Sequence, residues 1–570
     1  MVKWWLACFV AFSLYATEDN AFARVQCHML IGDVNAAIVE CRSSLKIYPQ
    51  SKGLQRLLVQ ALAKRGFEKD ALAAWHVVAD KLEGEEKRSC LEALAWGVLS
   101  RARDSNQFVI QYSSLMGARR VRDSVATKVV QQCMHSTNHL MRALAIKIAS
   151  EFRDAVLIDE IKRLFVVEKN FYVRLEVMQA IGRLGLHEMS DALKDVIASE
   201  RTMAEEKACA IQALVNLYDA CDEKELDKFI HAKRAGLRAI APQIVAHLDL
   251  YDQLPKLLPL LSDASSLVRM LTLSVFGQMH QNIGAHKEAV LKLMHDPDAN
   301  VAITACWVGL LMAPELGEVG LAPFAEHKNE DVRHLAVSAL IASGDRGTSL
   351  AMHLMKKSKD PIVRANSAFA LILKEHDVKK ACRTLNRFLD QFDGKLMWDQ
   401  HSHPIFRALV PSQVRHHPSM PGYPTQIDEL TRLELLSILA MQDDAKAKKR
   451  ILRFVKSGTW GVAHAACATL LGEGNQDALD MVRGLLDDKD VKVRVQAALV
   501  LAFLASDPSA CHVLMDAYTT VDRDVKLTLL EALGSIGSED VFPFLVKRLD
   551  EPFQVLRATA ASSIIQCLYH

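Results

Sequence analysis

The sequence is poor in aromatic residues and in uncompensated charge. Aromatic side chains make up 6% of the 570 residues, and 69 basic against 68 acidic side chains leave a formal net charge of +1. This balance excludes broad electrostatic binding to nucleic acid, which requires a concentrated excess of Lys and Arg. The cluster of Arg119, Arg120 and Arg122 is a local exception, which we interpret as a solvated helix face.

The signatures of common catalytic and metal sites are also missing. The sequence contains no GxSxG, HExxH or P-loop pattern, and its 12 cysteines form no CxxC pair. Zinc-ribbon and thioredoxin-type chemistry are therefore not indicated. A Cys–His nucleophilic pair stays open as an alternative, because a repeated fold can bring distant residues together, but no pattern marks one.

The N-terminus has the pattern of a secretory signal peptide. Lys3 precedes a mostly apolar run over residues 4–15, which is too short to span a bilayer, and Ala21-Phe22-Ala23 has the small-x-small form of a cleavage site. We therefore predict a signal peptide over residues 1–23 and a mature protein in the periplasm or outside the cell. A buried N-terminal helix is the alternative. No later stretch is long and apolar enough for a membrane span.

Two similar segments follow the predicted signal. Gly32–Ile38 and Gly66–Leu72 place Ala37 and Ala71 at equivalent positions, 34 residues apart. Residues 24–84 thus resemble the tetratricopeptide repeat, in which the glycine closes one helix and the small alanine lets two helices touch. Such units could bind a peptide, but we interpret them as a cap on the repeats that follow.

One helical pattern recurs every 31 to 33 residues beyond a transitional helical stretch at residues 85–135. Its fullest form is Asp490–Ala505, where Asp490 is a helix N-cap and Arg494, Ala497 and Leu501 share one helix face. We call the helix with this pattern the landmark helix of its repeat. The position of Arg494 is occupied in other repeats by Arg142, Arg174, Lys207, Arg238, Arg269, Ala302, Arg333, Arg364, Arg432, Ala463, Lys526 and Arg557. A second apolar segment between landmark helices makes each unit an antiparallel helix pair, and the pairs must stack to cover their apolar faces.

The motif D-x-x-V-R-x-x-A-A at Asp490–Ala498, with relatives at Asp360–Ala368 and Asn329–Val337, resembles the HEAT-repeat superfamily and its phycobilisome-lyase type. The resemblance implies an all-α solenoid of about fourteen antiparallel helix pairs over residues 136–570, preceded by the tetratricopeptide-like pairs. It also implies a structural ladder between neighbouring repeats, with no role in ligand binding, made of Arg333, Asp360, Arg364, Asp490 and Arg494.

The repeat pattern is interrupted between Arg364 and Arg432. A His- and Pro-rich insertion near residues 395–427 contains five prolines between Pro404 and Pro424, which predict a loop because proline cannot continue a helix. Candidate binding residues in it are His401, His403, Arg415, His416, His417 and Tyr423. We expect contact with a protein, while metal binding by the histidines and an unspecialised surface insertion are the alternatives.

These patterns predict a non-enzymatic protein-binding scaffold of the bacterial cell envelope. It needs no cofactor, metal or nucleic acid, and it binds partners on the concave face of the solenoid and on the insertion. One alternative is a metal-dependent or lyase-type enzyme; deoxyhypusine hydroxylases use paired His–Glu motifs, of which only His187-Glu188 is present. A structural envelope spacer without a specific ligand is the other.

Overall fold

The computed structural model describes residues 17–280, 286–399, 403, 405–412, 423–442, 445–455 and 476–570. Most of the predicted signal peptide, the landmark position Ala463 and residues 400–402, 404 and 413–422 of the His- and Pro-rich insertion lie outside these residues. The described residues fall into two compact units. The first takes those of Met1–Val177 together with those of Leu470–His570, and the second takes those of Met178–Thr469.

The all-α prediction is confirmed, since nearly all regular structure in the described ranges is helical. The helices of the N-terminal part of the first unit are α1 Glu18–Leu30, α2 Val34–Ile47, α3 Lys52–Arg65, α4 Glu68–Val78, α5 Gly84–Ala102, α6 Phe108–Val121, α7 Ser124–Met134, α8 His139–Phe152, α9 Ala155–Val167 and α10 Phe171–Leu184, within which the boundary between the units falls. Its C-terminal part contributes α26 Gln476–Gly484, α27 Val491–Ala505, α28 Cys511–Ala517, α29 Arg523–Ile536, α30 Phe542–Arg548 and α31 Gln554–Leu568.

The second unit contains the remaining helices and one small sheet. They are α11 Ser190–Ala198, α12 Ala204–Val215, α13 Glu223–Ile230, α14 Ala235–Arg238, α15 Ile240–His247, α16 Ser266–Gln278, α17 Lys287–Lys292, α18 Ala299–Met312, α19 Pro314–Ala325, α20 Glu330–Ile341, α21 Thr348–Lys357, α22 Pro361–Leu373, α23 Val378–Gln391, β1 Leu396–Asp399, β2 Ala408–Pro411, α24 Tyr423–Met441 and α25 Ala445–Val455. A 3-10 helix at Tyr251–Ser262 stands where an α-helix is expected, and it contains Pro255 and Pro259, whose rings obstruct regular α-helix.

Small side chains allow the landmark helices to pack closely. The position three residues after the landmark is fully buried in Ala145, Ala210, Ala241, Ala305, Ala336, Ser367, Ala497 and Ala560. The ends of these helices follow the sequence as well. Asp490 accepts a hydrogen bond from the Lys492 amide at 2.8 Å, and Gly185 and Gly537 close their helices with positive φ angles, while Gly344 lies in the turn after its helix.

The two ends of the chain pack together within the first unit. Helix α31 contacts α29 on one side and both α5 and α6 on the other. Ala558 joins Ala102 and Ile110 in an apolar cluster, and the Thr559 and Ser113 hydroxyls lie 3.1 Å apart. The helices preceding the landmark repeats therefore cover the apolar face of the last helix pair, a contact between segments that the sequence pattern treats as separate.

Candidate binding surface

In four of the described repeats, an ion pair joins the landmark arginine to a carboxylate at the start of the following repeat. In the second unit, Arg269 Nη2 and Nε donate to Asp296 at 2.8 and 2.9 Å, and Arg333 donates to Asp360 at 2.7 and 2.9 Å. The other two pairs are Arg142 with Glu168 and Arg238 with Asp263. We call this set the arginine ladder. Because each carboxylate is largely buried and also accepts backbone amides, the ladder fixes how neighbouring repeats stack.

The arginine ladder also lowers the pKa values of some of its carboxyl groups. Hydrogen bonds from Arg238 hold the pKa of Asp263 below its usual range, despite partial burial of the carboxyl group. Burial works against ionisation of Asp360, but interactions with His334, Arg333 and the Ile362 amide outweigh it and hold the Asp360 pKa well below its ordinary value. The His334 Nε2 lies 3.5 Å from Asp360 Oδ2, which is an ion-pair distance and not a well-formed hydrogen bond.

Two predicted ladder arginines differ from these four. Arg494 donates to the carbonyls of Asp488 and Lys489, as the other ladder arginines do with their own preceding turn, but no described carboxylate pairs with it. Arg364 is exposed, and its side chain has neither a hydrogen bond nor an ion pair within the described ranges. In the preceding repeat, Arg333 reaches 27 residues ahead to Asp360. The ladder carboxylates lie 25 to 27 residues ahead of their arginines. Ahead of Arg364 this range contains Asp390, which pairs with Arg450 at 3.2 Å instead.

The insertion contributes a β-hairpin where the sequence predicts an irregular loop. Strands β1 and β2 pair antiparallel, with Leu396 opposite Pro411 and Asp399 opposite Ala408. The hairpin packs on the landmark helices α20 and α22 through β2, and on α24 through β1. Each strand is only four residues long, and Leu396-Met397-Trp398 is an unbroken apolar run in the sequence, so the period of two that marks a strand is hard to detect.

Asn366 holds the hairpin by its backbone. The fully buried Asn366 amide donates to the Leu409 carbonyl at 2.7 Å and accepts from the Leu409 amide at 2.8 Å. These are the two bonds that a neighbouring strand would make. Sequence reasoning missed this residue, although an asparagine two positions after the landmark, inside a run of core residues, is the signal that could have identified it.

His403 lies in the interior and not on an exposed loop. Its side chain is 3% exposed, and its ring stacks on Phe406 with centroids 3.7 Å apart. The Nδ1 atom accepts from the Ile405 and Phe406 amides at 3.2 and 3.3 Å, so the neutral ring carries its proton on Nε2, which donates to Thr304 Oγ1 at 3.1 Å. Burial lowers the pKa of His403 to about 4. Both nitrogens are engaged, which is incompatible with metal ligation by this ring as it stands.

The other predicted binding residues are not brought to a common site by the described structure. His401, Arg415, His416 and His417 lie outside the described residues. The backbone of Tyr423 begins α24, and its side chain is outside the description. The predicted contact role of these residues stays a prediction.

A basic groove lies beside the hairpin, between α21, α22 and α23. It has a volume of about 590 Å³, and its cations are Lys356, Arg364, Lys380, Arg383 and Arg387. Phe388, Phe392 and Pro361 form its apolar wall. The sequence pattern predicts a ladder role for Arg364 and does not reveal this cluster, because its residues come from three different helices.

Five buried cysteines of the described residues are poor nucleophiles. Burial raises the pKa of the thiols of Cys41, Cys90, Cys133, Cys306 and Cys567 to about 12, so these thiols stay protonated at neutral pH. His187 is an exposed residue 3.6 Å from Asp219. Within the described ranges, no group of three or more His, Cys, Asp or Glu side chains is arranged to hold a metal ion.

Comparison with known proteins agrees with the repeat pattern. The family model for HEAT repeats matches residues 482–565. No curated protein matches the sequence. None of the described helices is both long and apolar enough to cross a membrane.

Many solved structures match this chain at low identity and low TM-score. The complex of CpcE and CpcF of phycocyanin lyase from Nostoc sp. PCC7120 is 13% identical, with 46% of this chain and 94% of that chain covered and a TM-score of 0.26. UNC-45 from Drosophila melanogaster is 11% identical over 96% of this chain and 88% of that one, with a TM-score of 0.33. Kap121p bound to Pho4p is 11% identical, with 93% of this chain and 67% of that chain covered and a TM-score of 0.37. At these values the similarities say nothing about activity.

Proposed function

We propose that this HEAT-repeat solenoid is a non-enzymatic protein-binding scaffold of the bacterial cell envelope, exported by the N-terminal segment 1–23. Helical repeats of this kind present long, rigid surfaces on which polypeptides bind. The face formed by the landmark helices is the binding surface, together with the part of the insertion that follows the hairpin.

The hairpin is the observation that carries this proposal. In it, the landmark helix α22 holds an extended segment of the same chain, because the Asn366 side-chain amide bonds to the Leu409 backbone. Trp307 packs edge-on against Phe406 at 5.5 Å, and Phe369 packs against Trp398 at 5.4 Å. Backbone recognition combined with side-chain pockets is a general way to bind a peptide.

A metal-dependent or lyase-type enzyme is the competing function. The engagement of both His403 nitrogens weakens a four-histidine metal site, and the high thiol pKa values weaken a cysteine nucleophile. Elemental analysis of the purified protein separates the two functions. Stoichiometric metal that is lost on changing His401, His416 and His417 to Ala would replace the scaffold proposal.

Cross-linking in the cell, followed by affinity purification, tests the scaffold. Three chains are compared with the wild type: one with residues 413–422 replaced by a Gly-Ser linker of equal length, one with Asn366→Leu, and the control Asn216→Leu at an exposed site on the same unit. We expect specific partners that are lost or changed in the first two chains and kept in the control. An identical set of cross-linked proteins in all four chains would instead support a spacer without a specific ligand.

Export is tested by fusing a reporter enzyme that is active only outside the cytoplasm to the C-terminus. We expect activity that disappears when Lys3 and the apolar run at residues 4–15 are deleted. A full-length, uncleaved product in the cytoplasm would show that the envelope location is wrong while leaving the binding function open to the cross-linking test.

A further inference from the structure

The basic groove concentrates like charge on one helix face. Lys380, Arg383 and Arg387 are spaced by three and four residues along α23, which places them side by side on that helix. Cations at this spacing repel each other and lower helix stability by a few tenths of a kcal/mol per pair. Lys356 from α21 and Arg364 from α22 add two more positive charges opposite them. The fold therefore holds together charges that would separate in a free chain.

Few acidic groups neutralise this cluster. Asp377 pairs with Lys380 at 3.0 Å, while Asp360 and Asp390 are engaged by Arg333 and Arg450. In the part of the chain that the structure describes, Lys356, Arg364, Arg383 and Arg387 donate to no carboxylate. The groove thus keeps most of its positive charge, although the whole chain is close to neutral.

The arginine ladder indicates which anion suits the groove. At the register position of Arg364, the arginines of four other repeats each hold an Asp or Glu carboxylate with distances of 2.5 to 3.0 Å. Arg364 has the same place at the start of its helix, but no described carboxylate pairs with it, since Asp390, 26 residues ahead, is paired with Arg450. A planar guanidinium presented to solvent at this position is suited to a carboxylate supplied from outside.

The dimensions fit a short stretch of extended polypeptide. From Lys380 to Arg387, seven helical residues at ~1.5 Å per residue span roughly 10 Å, which equals the length of about three residues of a strand. The Phe388 and Phe392 wall excludes water on one side and strengthens the interaction of the cations with a bound carboxylate.

We infer that the basic groove binds an acidic segment of a partner polypeptide, with Arg364 taking one side-chain carboxylate and Arg383 and Arg387 taking others. Acidic residues at alternate positions point to one side of an extended chain, so a segment with Asp or Glu at every second residue matches the groove best. This inference rests on the proposed scaffold function and names the chemistry of the partner.

Fluorescence anisotropy with a synthetic probe tests it directly. The probe is a fluorescein-labelled ten-residue peptide in which Glu alternates with Ser, and the control probe has Gln in place of each Glu. We expect saturable binding of the Glu peptide that weakens at least tenfold between 50 and 300 mM salt, since the contacts are exposed ion pairs. Saturation by the Gln peptide at the same concentrations would contradict the inference.

Matched charge reversals locate the site. Arg383→Glu with Arg387→Glu is compared with Lys224→Glu and Lys228→Glu, which lie four residues apart and exposed on α13 of the same unit. We expect at least tenfold weaker peptide binding for the first pair and less than twofold change for the second. Arg364→Ala provides an independent variant, expected to weaken binding three- to tenfold. Equal loss in both charge-reversal pairs would show non-specific attraction and overturn the proposed site.

Competition distinguishes carboxylate from other anions. Inorganic phosphate and a short single-stranded oligonucleotide are added to the peptide complex at equal ionic strength. Displacement by free glutamate-rich peptide but not by either competitor supports the inference; tighter binding of the oligonucleotide would overturn it. If the peptide does not bind but partners are still captured by cross-linking, the anion site is wrong and the scaffold function stands. If the peptide binds but no partner is captured by cross-linking, the scaffold function is wrong and the anion site stands.

Discussion

Arg557 donates from Nε to Oε2 of Glu68 at 3.2 Å, across 489 residues of sequence. Arg557 is the landmark arginine of α31, and Glu68 is the first residue of α4. Glu68 therefore supplies to the last repeat the carboxylate that each earlier ladder arginine takes from the repeat after it. Both side chains are mostly buried, at 23% and 12% exposed, and Arg101 approaches the other Glu68 oxygen at 3.3 Å.

This pair is expected to stabilise the contact between the ends of the chain. Glu68→Gln should lower the free energy of opening of α31 by about 1–2 kcal/mol, because it leaves a half-buried guanidinium without its counter-charge. Native-state hydrogen exchange of the α31 amides measures this energy. The control is Asp70→Asn, which breaks the exposed pair with Arg42 and should change it by less than about 0.5 kcal/mol. Equal effects of the two substitutions would contradict the role of Glu68.

The arginine ladder predicts unequal effects of the same substitution. Arg269→Ala leaves the buried Asp296 carboxylate unpaired and should lower the opening energy of α16 by about 2–4 kcal/mol. Arg364→Ala removes an exposed side chain without a described partner and should lower that of α22 by less than about 0.5 kcal/mol. Hydrogen exchange on the two variants compares them. If Arg364→Ala lowers the opening energy about as much as Arg269→Ala does, Arg364 has the structural role that the sequence pattern predicts.

Asn366 is expected to control docking of the hairpin. Asn366→Leu leaves the buried amide and carbonyl of Leu409 without partners, which costs about 2–4 kcal/mol for the two groups. Amides of residues 405–412 should then exchange at least tenfold faster, while those of α31, in the other unit, keep their wild-type rates. Asn216→Leu is the control for the chemical change itself. Unchanged protection of residues 405–412 would show that apolar contacts alone hold the hairpin.

Docking of the hairpin should also weaken on acidification. The folded state keeps His403 neutral down to a pKa of about 4, whereas a released histidine titrates near 6.5. Between these values the released state binds a proton that the docked state does not, so docking is at full strength above pH 6.5 and loses up to about 3 kcal/mol as the pH falls to 4.

Tryptophan fluorescence during urea titration measures this loss, because Trp307 and Trp398 contact the hairpin and its surroundings. His403→Asn keeps an oxygen acceptor for the Ile405 and Phe406 amides but cannot titrate in this range. We expect hairpin docking to be weaker in the variant than in the wild type at pH 7.5. Titration at this site should then cause no further loss of docking energy down to pH 4. Parallel pH dependence in both proteins would assign the effect to another group.

The sequence predicts the repeated part of the fold because the residues that form each landmark helix lie within that helix. The N-cap Asp490, the small Ala497 and the core Leu501 act within one helix or on its nearest neighbours, and a periodic pattern reports such local roles. The contact between Arg557 and Glu68 has no period, since it joins two segments that occur once. A repeat search therefore cannot find it.

The candidate surface was less predictable for a related reason. The prolines predict a break in the helical repeats, and no helix occurs at residues 392–399 and 405–412, but the docking of β2 depends on Asn366 in a different repeat. In the sequence, His403 looks like an exposed residue that binds a metal or a partner. Only its burial against Phe406 and Thr304 in the structure assigns it a structural role. The basic groove combines three helices, so spacing along any one of them shows only part of its charge.

The packing of α31 on α5 and α6 has a consequence for synthesis of the protein. Arg88 in α5 donates to the Leu568 carbonyl, a partner 480 residues later in the chain. At a translation rate of ~5–20 residues per second, the apolar face of α5 and α6 waits roughly 25–100 seconds for the helix that covers it. During that interval the nascent chain exposes an apolar surface that can aggregate. We therefore expect a chaperone to bind these two helices during synthesis.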